Sequence, residues 1–167
     1  MDKDNFFIKS QIQTSIREVR DLLNTGVYSA PVLRPFHEPV FVSIMLKLND
    51  LLQKYDQLGE RISFSEDIPT GDITDLVSKI RNAICHLDSG ENILDKEMQI
   101  KFVFNVIFGK GKALAIEEKT AAQSDYEDDI AFFYGEHRIY LKRHIIRALN
   151  EAIEVAKKLY PDDRMLF

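Results

Sequence analysis

Apolar residues recur at intervals of three and four through most of this chain, and that spacing constrains it to form helices. The spacing predicts helices over residues 5–24, from near Pro39 to Gly59, over Asp72–Asp88 and over Ile139–Tyr160. The apolar stripe of the third helix consists of Ile73, Leu76, Val77, Ile80, Ile84 and Leu87. Each helix has to bury its stripe, so we expect the four to pack as a bundle.

The stretch between residues 101 and 135 has a different pattern. Phe102–Phe108 is rich in aromatic and β-branched residues, which favour a strand. A glycine-rich turn follows, then Ala113–Glu117 as the return strand of a hairpin, and later Ile130–Tyr134 as a third strand. Residues 117–129 carry six acidic residues and one Lys, typical of a mobile loop. We therefore predict a mainly α fold, a four-helix bundle with a small antiparallel β-sheet insertion at about 101–135 before the last helix.

Length and charge limit the classes of protein to which the chain can belong. Its 167 residues predict a single domain over 1–167. The formal net charge of −5 argues against broad nonspecific binding to nucleic acid, but not against a small basic site. The single Cys excludes a disulfide within the chain and fits a reducing compartment. With no signal peptide pattern and no apolar run of membrane-spanning length, we expect a cytoplasmic protein without a membrane partner.

The predicted third helix presents polar side chains away from its apolar stripe. At about 100° per residue, Asn82 and His86 lie one turn apart on the opposite face, and Arg81 lies to one side. Imidazole can remove the proton of an RNA 2′-hydroxyl because its protonation changes near neutral pH. A guanidinium can hold the phosphate and stabilise developing charge, and an Asn can fix the imidazole tautomer or bind the phosphate. None of these roles requires a metal.

Arg81, Asn82 and His86 resemble the signature of the HEPN superfamily. That signature is an Arg, a polar residue, several variable residues and a His, late in a helix of a small α-helical bundle. The spacing here, with four residues between Arg and His, is a common one in the family. A second Arg-to-His match, Arg138 to His144, lacks the polar residue after its Arg. The strand-rich stretch departs from the plainest all-helical members.

The resemblance implies a function as well as a fold. Many members are metal-independent ribonucleases, often toxins or phage-defence effectors, that act as homodimers joining two motifs. By that resemblance His86 is the general base or acid, Arg81 the phosphate clamp and Asn82 the organiser, with no cofactor and no metal. The expected product is a 2′,3′-cyclic phosphate. RNA and a cognate antitoxin are then the expected partners.

Two other interpretations remain open. One is a non-catalytic HEPN-like module that binds a nucleotide, RNA or a partner protein, in which the motif mainly builds a dimer interface. The acidic net charge and the lack of a separate RNA-binding domain favour it. The other lies outside the family and is a helical structural protein in which His86 only packs. A structure can distinguish a HEPN-like dimer from the structural protein outside the family. The HEPN-like dimer would have a two-fold axis that brings two copies of His86 into one cleft.

Several further residues carry sequence-based expectations. Adjacent helix residues diverge by about 100°, so Cys85 and His86 cannot easily pair as nucleophile and base, and we expect a partly buried, inert Cys. The small residues Ser78, Ala83 and Cys85 are expected to let a second copy approach the motif helix. The basic stretch at the start of the last helix is either a solvated face or a phosphate-contacting surface. It comprises Arg138, Lys142, Arg143, His144 and Arg147.

Overall fold

The computed structural model describes residues 3–29, 31–86, 93–95, 100–101, 104–116 and 119–161, and it is mainly helical with short antiparallel strands, as predicted. The α-helices are α1 (Lys3–Asn24), α2 (His37–Gln57), α3 (Ile73–Cys85) and α4 (Arg147–Leu159). The strands are β1 (Ile93–Asp95), β2 (Ile100–Lys101), β3 (Asn105–Phe108), β4 (Gly111–Ile116), β5 (Lys119–Ser124), β6 (Ile130–Tyr134) and β7 (His137–Tyr140). The predicted positions of Leu87 and of Phe102 and Val103 lie outside the described residues.

The chain divides into two compact units. The first comprises the described residues up to Val77 and those from Ala148 onward, and the second comprises Ser78–Arg147. The boundary therefore falls within α3 and at the start of α4. A single domain over residues 1–167 stays a prediction. No helix among the described residues combines the length and apolar character that a membrane span requires.

The core of the first unit follows the predicted stripes. Its buried members on α1 and α2 are Ile12, Ile16, Val19, Phe41, Ile44, Met45, Leu48, Leu51, Leu52 and Tyr55. The hydroxyl of Tyr55 donates to the carbonyl of Ala152 at 2.7 Å, which fixes α4 to α2. Leu58, within the helix predicted to run to Gly59, is 38% exposed because α2 ends before it. Gly59 follows with φ +76°, a conformation that favours glycine.

Two aspartates and an arginine set the start of α3. Asp72 accepts the backbone N–H of Asp75 at 2.9 Å, and Asp75 accepts the backbone N–H of Asp72 at 3.3 Å. This reciprocal cap satisfies two helix N–H groups that have no partner within the helix. Thr74 is buried and donates to the carbonyl of Ile62 at 2.6 Å. Arg61 forms ion pairs with Asp56, Asp72 and Asp75.

In the second unit the strands pair differently from the prediction. β3, β6 and β7 form one antiparallel sheet in that order, β4 pairs with β5, and β1 pairs with β2. The predicted hairpin between Phe102–Phe108 and Ala113–Glu117 is therefore wrong. The pairing of Phe108 with Ile130 continues through the N–H of Gly109, which donates to the carbonyl of Asp129 at 2.9 Å, so β6 occupies that edge of β3.

Two further boundaries differ from the sequence-based expectation. β5 occupies residues 119–124, where an acidic loop was predicted, because its neighbour β4 supplies a hydrogen-bonding partner close in sequence. β7 includes Ile139 and Tyr140, the first residues of the predicted last helix. Helical structure begins only at the π-helical segment Leu141–Ile146 and continues as α4.

Candidate functional site

α3 ends at the motif and separates a buried face from an accessible one. Ile73, Leu76, Val77 and Ile80 are buried, and Ile84 is half-buried. The backbone N–H of His86 donates to the carbonyl of Asn82 at 2.9 Å, so helical hydrogen bonding continues one residue past Cys85. His86 is exposed, whereas Arg81 and Asn82 are half-buried. The predicted placement of His86 off the core stripe is confirmed.

The side chains of Arg81 and Asn82 contact each other directly. Nη1 of Arg81 donates to Oδ1 of Asn82 at 3.1 Å. Neighbouring helix residues point about 100° apart, so the long arginine side chain has to bend across to make this bond. The amide oxygen of Asn82 therefore orients the guanidinium, a role that differs from the expected action on the imidazole or the phosphate. Asn82 is linked to His86 through the backbone, one turn apart.

This arrangement places a cation and an imidazole at the C-terminal end of a helix. The exposed carbonyl groups at such an end carry partial negative charge, which repels an anion. A phosphate bound here would depend on Arg81 for charge compensation. With the guanidinium oriented by Asn82 and the imidazole accessible one turn on, the site can combine phosphate binding with proton transfer.

Two sequence-based expectations about α3 are wrong. Cys85 is exposed and its thiol is free of any disulfide, because it lies at the last turn of α3 on the accessible side. Ala83, expected on the face that a second copy approaches, is fully buried and belongs to the core. The accessible surface of the helix around the motif thus comprises Ser78, Cys85 and His86 rather than Ala83.

The basic stretch that begins in β7 is paired with acidic residues. Arg138 donates to Asp125 at 2.7 Å, and Arg143 donates to Asp128 at 2.9 Å. Lys142 donates through its ammonium group to the carbonyl of Asp128. A hydrogen bond from Gln123 and the guanidinium of Arg138 together hold the pKa of the Asp125 carboxyl below its ordinary value. The stretch is therefore not an open surface for phosphate.

Asp129 is the residue that sequence reasoning missed here. Its side chain is fully buried and accepts the backbone N–H groups of Lys142 at 2.8 Å and Arg143 at 3.1 Å, and Nη1 of Arg143 at 3.0 Å. It thereby caps the first turn of the π-helical segment. His144 is also buried, and its Nδ1 accepts the backbone N–H of Tyr140 at 3.1 Å. The run of acids before β6 and of bases after β7 is the signal that could have predicted this pairing.

A separate polar groove lies between α1 and α2 in the first unit. It encloses about 470 Å³ and is lined by hydroxyl, amide and charged side chains, among them Ser10, Thr14 and Gln53. The ion pair between Lys47 and Glu18, at 2.9 Å, closes part of it. Across the described part of the chain, no three His, Cys, Asp or Glu residues are grouped so as to hold a metal ion.

Comparison with family models gives no match, and neither does comparison with curated proteins or with solved structures. The relationship to the HEPN superfamily therefore stays a prediction. So do the roles of Arg81, Asn82 and His86, for which the support comes from the geometry of α3.

Proposed function

We propose that this chain is a metal-independent endoribonuclease of the HEPN type, with a four-helix HEPN-like bundle around the motif helix. The observation that carries the proposal is the hydrogen bond between Arg81 and Asn82 one turn before the exposed His86. It supplies a positioned guanidinium and an accessible imidazole on one end of one helix. Action as a toxin or phage-defence effector in the cytoplasm, with a cognate antitoxin, belongs to the same proposal.

The proposed reaction uses each motif residue in one role. His86 removes the proton of an RNA 2′-hydroxyl, whose oxygen then attacks the adjacent phosphorus. The bond from phosphorus to the 5′-oxygen breaks, and that oxygen leaves after accepting a proton. Arg81 binds the nonbridging oxygens and stabilises their charge in the transition state. Asn82 holds Arg81 in place. The products are a 2′,3′-cyclic phosphate and a 5′-hydroxyl.

A homodimer through α3 would complete the proton transfers. The reaction needs a base for the 2′-hydroxyl and an acid for the leaving oxygen, and one imidazole cannot fill both roles in the same step. A two-fold interface uses the same surface on both copies. Contact through the side of Ser78 would bring two Arg81 and two His86 side chains around one phosphate.

The proposal is tested by incubating RNA with the protein in EDTA. We expect cleavage by the wild type and loss of about 10²–10⁴-fold in rate for His86→Ala, the usual range for removing a general base. Cys85→Ala is the matched control because it alters the neighbouring exposed residue at the same helix end. Mass spectrometry should find 2′,3′-cyclic phosphate ends. Cleavage that persists unchanged in His86→Ala, or that stops on chelation, would refute the mechanism.

The second candidate is a non-catalytic HEPN-like module that binds a nucleotide, RNA or protein as a structural dimer. The observation in its favour is that Arg138, Lys142 and Arg143 already bind acidic residues, so the most basic stretch is not an open phosphate-binding surface. The absence of cleavage of mixed RNA substrates by the wild type, together with dimers that persist in His86→Ala, would favour this alternative.

A further inference from the structure

Hydrogen bonds to two carboxylates, made in the plane of the group, hold the guanidinium of Arg143. Nη2 donates to Oδ1 of Asp128 at 2.9 Å, and Nη1 donates to Oδ2 of Asp129 at 3.0 Å. The backbone N–H of Arg143 also donates to Oδ2 of Asp129, at 3.1 Å. Because both terminal nitrogens already bind carboxylates, the negative charge of these two acids opposes the binding of a phosphate at this guanidinium.

One face of the same guanidinium lies on an aromatic ring. Cζ of Arg143 is 3.6 Å from the centroid of the Tyr126 ring. Tyr126 in turn meets the ring of Tyr140 edge-on, with centroids 5.1 Å apart, and packs against the small buried cluster that contains Tyr140 and Phe133. The ring beneath Arg143 is therefore held by the core of the second unit.

The opposite face of the guanidinium remains for contact. The side chain of Arg143 is 31% exposed, although Tyr126 covers one face of the guanidinium and two of its N–H groups donate to carboxylates. A flat cation held in this way stacks readily on another planar group. The surrounding charge selects the kind of planar group. Acidic residues outnumber basic ones in this part of the sequence, so the local charge disfavours a further anion but not a neutral ring. The acids are Asp125, Glu127, Asp128 and Asp129, and the bases are Arg138, Lys142 and Arg143.

We propose that Arg143, backed by Tyr126, is a stacking site for a nucleobase. RNA bases stack on arginine guanidinium planes as they do on aromatic rings. Asp128, 66% exposed, lies at the rim and can accept hydrogen bonds from the N–H groups on a base edge, and guanine presents two such donor groups on one edge. The site belongs to the same compact unit as the motif residues. If the chain cleaves RNA as proposed above, this base belongs to the substrate, but base binding is tested separately from cleavage.

The first test is a titration of the wild type followed by nuclear magnetic resonance. The probe is guanosine 5′-monophosphate, and the matched control is ribose 5-phosphate, which has the same sugar and phosphate but no base. We expect saturable shifts of the Arg143 side-chain N–H and the Tyr126 ring signals with the nucleotide only. Equal shifts with ribose 5-phosphate would make this a phosphate site, and no shift with either probe would overturn the proposal.

The second test separates the plane of Arg143 from its charge. Arg143→Lys keeps the charge and loses the plane, so the affinity for guanosine 5′-monophosphate should fall about five- to a hundredfold, as for loss of one stacked base. Arg138→Lys, which also alters an arginine paired with an aspartate, should change the affinity less than twofold. Equal affinity in wild type and Arg143→Lys would refute stacking, and the wild-type titration decides if that variant does not fold. A short single-stranded RNA that competes for the same signals would identify RNA as the source of the base, whereas a failure to compete would identify the free nucleotide.

Discussion

Nη1 of Arg81 and Oδ1 of Asn82 lie 3.1 Å apart in a hydrogen bond between adjacent residues of α3. The bond makes Asn82 a positioning residue for the guanidinium. The backbone N–H of His86 donates to the carbonyl of Asn82, so the two residues are also joined through the helix backbone. The division of roles within the motif can therefore be tested one side chain at a time.

Asn82→Ala should weaken RNA binding more than it slows the bound complex. Loss of one hydrogen bond to a charged group corresponds to about 1.5–3 kcal/mol at most, so we expect KM to rise roughly tenfold with a smaller change in kcat. The measurement is steady-state cleavage as a function of pH. The profile should keep its midpoint, because Asn82 acts on Arg81. A midpoint displaced in Asn82→Ala would instead assign Asn82 to His86.

Ser78→Arg should separate the proposed dimer and abolish cleavage together. Ser78 is half-buried on the accessible side of α3, where a bulky charged side chain would block the approach of a second copy. Sedimentation velocity gives the mass, and circular dichroism should show an unchanged fold. Gln11→Arg, on an exposed position of α1, is the control and should remain dimeric and active. A dimer that survives Ser78→Arg with full activity would place the interface elsewhere.

In the Ser78→Arg monomer, Cys85 should react rapidly with a thiol reagent because it is exposed in the single chain and in no disulfide. One thiol per chain is expected by mass spectrometry after brief labelling with iodoacetamide. Cys85→Ser should cleave RNA within about twofold of the wild type, since the thiol has no role in the proposed reaction. Loss of cleavage in Cys85→Ser of the same order as in His86→Ala would show that the thiol takes part.

Asp129→Asn should destabilise the second unit. The buried carboxylate accepts three backbone N–H groups, from Ile130, Lys142 and Arg143, and one guanidinium N–H, and replacing it with an amide leaves donors unsatisfied. We expect a loss of about 2–4 kcal/mol in the free energy of unfolding, measured by urea denaturation. Asp128→Asn, at a neighbouring carboxylate that is 66% exposed, should cost much less. Equal losses in the two variants would contradict the capping role of Asp129.

The cap of α3 should contribute a pH-dependent part of the stability. Partial burial opposes ionisation of Asp72, but hydrogen bonds from Arg61 and from the backbone of Asp75 and Thr74 outweigh it and hold the pKa of Asp72 below its ordinary value of 3.8. A folded-state pKa that is lowered stabilises the protein at pH values above the unfolded-state pKa, and this contribution is lost as the pH falls through the lowered value.

Urea denaturation between pH 7 and pH 2.5 checks this prediction. The difference in unfolding free energy between wild type and Asp72→Asn should be constant above about pH 5 and should shrink below about pH 4. The comparison isolates Asp72 from Asp125, whose pKa is lowered by other partners. A difference that stays constant down to the lowest pH would mean that ionisation of Asp72 does not stabilise the cap.

The helices could be predicted from sequence because their signals are local. Ile12 and Phe41 repeat with neighbours three and four residues away, and both are buried in the first unit. The strand order could not be predicted in this way. Phe108 pairs with Ile130, 22 positions further along, in preference to the nearby Ala113. Nothing in the alternation of either segment distinguishes the two partners.

The candidate site shows the same limit at the level of side chains. Helical spacing was sufficient to place His86 off the core. It could not place Ala83, because a small residue fits a tight core as well as an open face. The bond between Arg81 and Asn82 depends on the rotamer of a long side chain, which spacing does not determine.

The hydrogen bond from Tyr55 to Ala152 joins residues 97 positions apart, and it has a consequence for the order of folding. During synthesis on a ribosome, α1 and α2 emerge well before α4. The first unit cannot be completed until α4 is made, and until then the hydroxyl of Tyr55 lacks its acceptor on Ala152. The second unit is continuous in sequence and can be completed earlier. Closing so long a loop slows folding more than it lowers stability, because the entropy of closure grows only logarithmically with length.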